Sequence, residues 1–162
     1  MGVLAIILMG SPSDEGWARQ IGQALDGFVI PWELRVASAH KVPQYLTELL
    51  GEYERDPRPK VYITVAGRSN ALSGVVDAHV AAPVIACPPY SDKFAGADLL
   101  SSLRAPSGVA PAVVLEPEGA ALLAAKLLGL ADPALRGRVE AAQAAQRARL
   151  FEADAALRAG RP

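Results

Sequence analysis

The sequence predicts an α/β domain in which helices cover both faces of a parallel sheet, and three observations carry that prediction. Its apolar runs are short and continuous rather than alternating, as strands buried on both faces must be. Between them lie stretches with apolar residues at helical spacing. Strand and helix alternate along the whole chain with no internal repeat or low-complexity linker, which calls for right-handed crossovers. At 162 residues, 51% hydrophobic and only 6% aromatic, the chain suits one domain with a sizeable aliphatic core.

Residues 3–9 are apolar throughout and read as a central strand. Gly10-Ser11-Pro12-Ser13-Asp14 breaks it, with Ser13 or Asp14 as the N-cap of a helix over 15–25 in which Trp17, Ile21 and Leu25 step by four. Gly27 is expected to close that helix, and residues 29–37, with Pro31 near their start, to form the second strand. Pro43 suits the first turn of a second helix that runs to about Arg55, with Tyr45, Leu46, Leu49, Leu50 and Tyr53 as its apolar stripe. Residues 61–66 form the third strand, 71–81 a helix and 83–87 the fourth strand. The loop over 88–97 is long for a compact α/β unit, which marks it as a candidate lid or binding loop, and a short helix over 98–103 follows.

Residues 112–115 are the fifth strand, and 117–130 an Ala/Leu-rich helix that should be largely buried. A last helix starts at Asp132-Pro133 and runs to about Leu157, with Leu135, Val139, Ala142, Leu150 and Leu157 at helical spacing. That apolar stripe needs a surface to cover. Residues 132–162 therefore read as a helical arm of the same domain as 1–131, packing on a neighbouring subunit, although six arginines against four acidic residues also suit a solvated face. Five parallel strands in the order 2-1-3-4-5 give a three-layer flavodoxin-like fold.

Composition narrows the function. A net charge of -1 offers no general surface for nucleic acid or an acidic membrane, so any anion site must be local. A single cysteine excludes an internal disulfide framework, and Cys87 reads as a buried small hydrophobe. The apolar opening is too short to span a bilayer and carries no leader pattern, which points to a cytoplasmic protein. There is no dinucleotide fingerprint, P-loop or metal-ligand cluster, so neither cofactor nor metal is expected. His79, alone in its segment, reads as a helix-surface residue.

Chemistry is expected at three loops, each leaving the carboxyl end of a strand and each rich in small polar residues: Gly10-Ser11-Pro12-Ser13-Asp14, Ser38-Ala39-His40-Lys41 and Gly67-Arg68-Ser69-Asn70. In an open α/β sheet these converge on the ligand edge. Their hydroxyls, the N–H groups at helix starts, Lys41 and Arg68 make a seat for a phosphate monoester, with Asp14 placed to accept from sugar hydroxyls. His40 on its own reads more readily as a turn histidine bonded to backbone. Among these loops it becomes a candidate to move a proton near neutral pH.

The same residues, with Met9 before the first loop, Ala66 before the third, Cys87-Pro88-Pro89, and Ser101-Ser102-Leu103-Arg104-Ala105-Pro106-Ser107-Gly108, resemble the phosphoribosylaminoimidazole carboxylase family of purine biosynthesis from residue 3 to about 130. The third loop and Lys41 resemble the branch that uses carbon dioxide directly; the other branch, a 5-(carboxyamino)imidazole ribonucleotide mutase, carries a second histidine there. Ala71, Ser73-Gly74 and Phe94 depart from the family pattern. The resemblance implies carboxylation of 5-aminoimidazole ribonucleotide (AIR) without ATP, biotin or metal, in a homo-octamer. It implies His40 as the proton carrier, Lys41 and Ser38 at the new carboxylate, and Ser11, Ser13 and Asp14 on the ribose phosphate. Arg68 and Ser69 would complete the phosphate seat, Gly10, Gly67 and Asn70 would also bind substrate, and Ala39, Ala66 and Leu72 would line an apolar pocket for carbon dioxide. A non-catalytic flavin- or nucleotide-phosphate-binding module of the same fold is the reading from a different class.

Overall fold

The computed structural model describes residues 2–160. Its five strands, β1 (Leu4–Met9), β2 (Trp32–Val36), β3 (Lys60–Val65), β4 (Val84–Ala86) and β5 (Ala112–Val113), form one parallel sheet in the order β2-β1-β3-β4-β5. The helices are α1 (Glu15–Asp26), α2 (Pro43–Glu54), α3 (Ala71–His79), α4 (Pro117–Leu128) and α5 (Pro133–Ala159). The expected topology is therefore the observed one.

The period-2 geometry of a strand divides the core. Ala5, Ile7 and Met9 of β1 join Val61, Ile63 and Val65 of β3 on one face, beneath Ile21 and Leu25 of α1 and the alanines of α4. Leu4, Ile6 and Leu8 join Tyr62 on the other, beneath Leu46, Leu49 and Leu50 of α2 and Leu72 and Val76 of α3. Ile6, Ile7 and Leu8 are each fully buried, and each contributes about 1.5–3 kcal/mol relative to exposure. Alanine at 120, 121, 124 and 125 lets α4 lie close to the sheet and α1, which explains why a helix of such low side-chain volume is buried.

Several boundaries and caps differ from expectation. Neither Ser13 nor Asp14 caps α1 through its side chain: a 3-10 turn, Pro12–Asp14, precedes it, and Ser11 caps that turn by accepting the Ser13 N–H. Gly27 keeps a right-handed backbone, φ -60°, and it is Val29 that turns left-handed at φ 57°. The chain so reverses sharply, and β2 begins only at Trp32. Tyr45 lies outside the α2 stripe, because its hydroxyl accepts from Arg35 at the surface beside the edge strand. The segment expected as a short helix is a 3-10 stretch, Lys93–Ser102, kinked where Phe94, Ala95 and Gly96 all have positive φ. In α5 only Leu135 and Val139 are buried; Leu150, Phe151 and Leu157 are each more than 70% exposed. Asp132 caps this helix, and Arg138 donates to the Phe28 carbonyl at 2.7 Å, so its first turns belong to the domain core.

Gly22 of α1 occupies a helix position where a side chain has no room. A Cβ there would stand 2.5 Å from the Trp32 ring, which is held in place by its N–H bond to Asp26 at 2.8 Å. Gly22→Ala is expected to destabilise the protein by about 1–2 kcal/mol, overpacking outweighing the roughly 1 kcal/mol helix preference of alanine. Urea unfolding with an unchanged m-value measures this; a stabilised variant would show that the ring swings aside freely.

Candidate functional site

Register brings the polar loops together. Met9 pairs with Val36 on one side and Val65 on the other, so β1, β2 and β3 end level with one another. The ladder continues one step beyond, through Ala37 N–H to Met9 O and Gly10 N–H to Val65 O, both 2.9 Å. The loops starting at Gly10, Ala37 and Ala66 therefore leave the sheet at the same height, and Cys87 N–H, bonded to Thr64 O at 2.9 Å, brings the loop after β4 to the same edge.

They enclose a cavity of about 500 Å³. Its lining includes Gly10, Ser11, Ser13 and Asp14, then Ser38, Ala39, His40 and Lys41, then Ala66, Gly67, Arg68, Ser69 and Leu72. Of the residues singled out from the sequence, Asn70 alone lies off this lining. Its Oδ1 accepts from the backbone N–H and the hydroxyl of Ser73, capping α3, and its Nδ2 donates to Ser102 Oγ at 2.9 Å. Asn70 thus holds the third loop, between this cavity and a smaller, largely apolar one of about 390 Å³ beside α3.

Local chemistry arranges each loop. Ser11 and Ser13 hydroxyls lie 2.8 Å apart, and Ser13 Oγ donates to Asp14 at 3.5 Å. Partial burial pushes the Asp14 carboxyl above its ordinary pKa, while the Ser13 hydroxyl and the Arg68 charge oppose that shift. Ser38 Oγ accepts the Lys41 N–H at 3.3 Å, and Val42 N–H bonds Ser38 O at 3.0 Å, which closes a turn with the Lys41 side chain outside it. Among the described residues, the side chains of His40, Lys41 and Arg68 make no hydrogen bond or ion pair. The cavity therefore offers an imidazole and two cations with their bonding capacity unspent. Arg68 holds a left-handed backbone at φ 59°, sparsely populated for a non-glycine residue. Gly10 allows the first and third loops to approach: a Cβ there would already touch the Ala66 Cβ at 3.4 Å.

Four lining residues, Pro89, Tyr90, Ser91 and Asp98, were not named as site residues, although Pro89 stands in the Cys87-Pro88-Pro89 motif. The length of the loop over 88–97 marked it as a binding loop, but nothing in its residues distinguished which would face inward. Tyr90 donates its hydroxyl to Glu116 and stands edge-on to Trp17 at 5.5 Å, while Trp17 donates to the Cys87 carbonyl at 3.2 Å. Asp98 opens the short helix expected over 98–103; its Oδ2 is buried without a hydrogen-bond partner among the described residues. Burial pushes the Cys87 thiol up to about 11, which suits a packed side chain rather than a nucleophile. His79 lies exposed, bonded to the Val75 carbonyl at 2.7 Å. Among the described residues no group of three or more His, Cys, Asp or Glu could hold a metal, and no helix is long and apolar enough to cross a membrane.

Known proteins resemble the chain along nearly its whole length. The AIR carboxylase family matches residues 4–149. The phosphoribosylaminoimidazole carboxylase of Treponema denticola is 51% identical over 158 residues, covering 98% of this chain and 99% of that one. That of Archaeoglobus fulgidus is 51% identical over 157 residues, covering 97% and 86%. A rat bifunctional phosphoribosylaminoimidazole carboxylase/phosphoribosylaminoimidazole succinocarboxamide synthetase is 42% identical over 153 residues, with this chain spanning 36% of its length. The crystal structure of Treponema denticola PurE superposes with a TM-score of 0.94, covering 96% of this chain and 98% of that chain. Matched along nearly its whole length in sequence and in fold, the chain belongs to the AIR carboxylase family.

Proposed function

We propose that the chain carboxylates AIR directly with carbon dioxide, giving 4-carboxy-5-aminoimidazole ribonucleotide in purine (IMP) biosynthesis, reversibly and without ATP. One observation carries the reading: His40, Lys41 and Arg68, each without a side-chain partner among the described residues, line one cavity with Ser11, Ser13 and Asp14 in a member of the AIR carboxylase family. Carbon 4 of the aminoimidazole is electron-rich, as in an enamine. It attacks carbon dioxide, the new carbon–carbon bond forms, and the electron pair of one C=O bond moves onto oxygen. His40 then removes the carbon 4 proton, which restores the aromatic ring, and returns it in the reverse decarboxylation. Lys41 and the Ser38 hydroxyl meet the new carboxylate. Ser11 and Ser13, with Arg68 and Ser69, seat the phosphate, and Asp14 accepts from the ribose hydroxyls. Ala39, Ala66 and Leu72 supply the apolar lining an uncharged substrate such as carbon dioxide needs.

Lys41 and Arg68-Ser69-Asn70 support the carbon-dioxide branch over the mutase, since the third loop holds no histidine. The exposed stripe of Leu150, Phe151 and Leu157 supports assembly with further copies through α5, in the homo-octamer that the family resemblance implies.

Purified protein given AIR and bicarbonate without ATP should form the carboxylated product, and given the carboxyamino isomer should not; product from the isomer alone would assign the mutase reaction. His40→Asn should lower kcat by about a hundred- to ten-thousand-fold while AIR still binds. Asp14 supplies a pH-dependent outcome. Its folded pKa lies above the ordinary 3.8, so its charge opposes folding once pH exceeds the folded pKa, and that cost vanishes below 3.8. Asp14→Asn should therefore be more stable than the parent at neutral pH, with the difference fading on acidification, yet bind AIR less tightly. Equal stability at pH 7 would contradict this assignment. Removing residues 143–162 leaves Leu135 and Val139 in the core and should lower the subunit number in light scattering, with the far-UV signal of the remaining helices retained.

A further inference from the structure

Ser101 and Ser102 stand about 30 residues beyond the third loop, yet hold it at three points. Ser101 Oγ donates to the Arg68 carbonyl at 2.6 Å and accepts the Asn70 N–H at 3.0 Å. Ser102 Oγ accepts from Asn70 Nδ2 at 2.9 Å. One hydroxyl, that of Ser101, thus bonds both ends of the turn over 68–70, and the residue at its start is the left-handed Arg68. Asn70 passes the link on to the first turn of α3 through Ser73. Arg68's own residue type disfavours positive φ, and the hydroxyl that meets its carbonyl comes from another segment.

We propose that Ser101 is a positioning residue for substrate: its hydroxyl holds residue 68 in the left-handed turn from which the Arg68 side chain reaches the anionic group of the ribonucleotide. The inference rests on the reading of Arg68 as part of the phosphate seat. Without the hydroxyl, the Arg68 carbonyl loses its donor and the Asn70 N–H its acceptor. The backbone at 68 is then free to relax towards right-handed or extended geometry, and the guanidinium leaves its place opposite Asp14. Ser102 still holds the Asn70 side chain, so the loop stays attached while the aim of Arg68 is lost. Ser101 is exposed, so replacing it opens no hole in the core.

The test is steady-state kinetics with AIR, alongside equilibrium binding of ribose 5-phosphate, in Ser101→Ala, Ser101→Thr, Arg68→Ala and the double variant Ser101→Ala with Arg68→Ala. Ser101→Ala should raise KM for AIR and weaken ribose 5-phosphate binding about five- to tenfold, as loss of hydrogen bonds of ordinary strength does, with kcat within about twofold of the parent. Ser101→Thr, which keeps the hydroxyl, should restore both values. The double variant should be no worse than Arg68→Ala alone, because the two changes remove the same contact. An unchanged KM in Ser101→Ala beside a raised KM in Arg68→Ala, or effects that multiply in the double variant, would overturn the positioning role. If Arg68→Ala itself moved neither value, the phosphate seat would be wrongly assigned and the inference would fall with it.

Discussion

The alignment of β1 between β2 and β3 is the constraint on which the site depends. In a parallel ladder the register fixes where each strand ends, and Met9, Val36 and Val65 end together. A shift of one residue in either neighbour would move a loop along the edge and turn its strand's side chains to the opposite face. The two-sided core prevents this: Ala5, Ile7 and Met9 are matched to one helix layer and Leu4, Ile6 and Leu8 to the other, so each slipped register would bury mismatched surfaces on both faces. The same apolar packing that stabilises the domain therefore sets the height at which three polar loops meet.

Those loops keep chemistry available because their backbones are satisfied locally. Ser11 caps a 3-10 turn, Ser38 closes the turn at Lys41, and Asn70 caps α3. These small polar side chains accept backbone N–H bonds and so order the loops, and the larger groups of His40, Lys41 and Arg68 have no side-chain partner among the described residues. Asp14 carries the opposite strain: a carboxylate partly withdrawn from water, sustained by Ser13 and by the Arg68 charge. A site of this kind trades some stability of the empty protein for groups already oriented when substrate arrives.

The periphery serves the same edge from a distance. Lys93–Ser102 contributes Asp98 to the cavity and, through its last two serines, braces the third loop. At the other extreme α5 extends for about 40 Å at 1.5 Å per residue, while only its first turns find a partner within the chain. The remainder carries an apolar surface that an isolated domain has no means to cover.

The sequence by itself determined the sheet order, the identity of the three loops and, Asn70 apart, candidate residues that line the cavity, because those depend on short-range signals: continuous apolar runs, breaks of Gly, Ser and Pro, and one histidine between strand and helix. Element ends were less legible. Val29 rather than Gly27 takes the positive φ because the chain must reverse onto β2 where Ile30 is already buried, a demand no local propensity expresses. Tyr45 and Tyr53 share a helical stripe in the sequence, yet only Tyr53 is buried, since Arg35 and Glu33 of the edge strand decide which hydroxyl is bonded where. Only the tertiary structure decided that Asn70 braces rather than lines the cavity, that Tyr90 and Asp98 enter it, and that Ser101 bonds the Arg68 carbonyl. The Asn70–Ser102 and Arg68–Ser101 bonds span 32 and 33 residues and the Tyr90–Glu116 bond spans 26, and a hydrogen bond across such a separation leaves no periodicity for sequence reading to find.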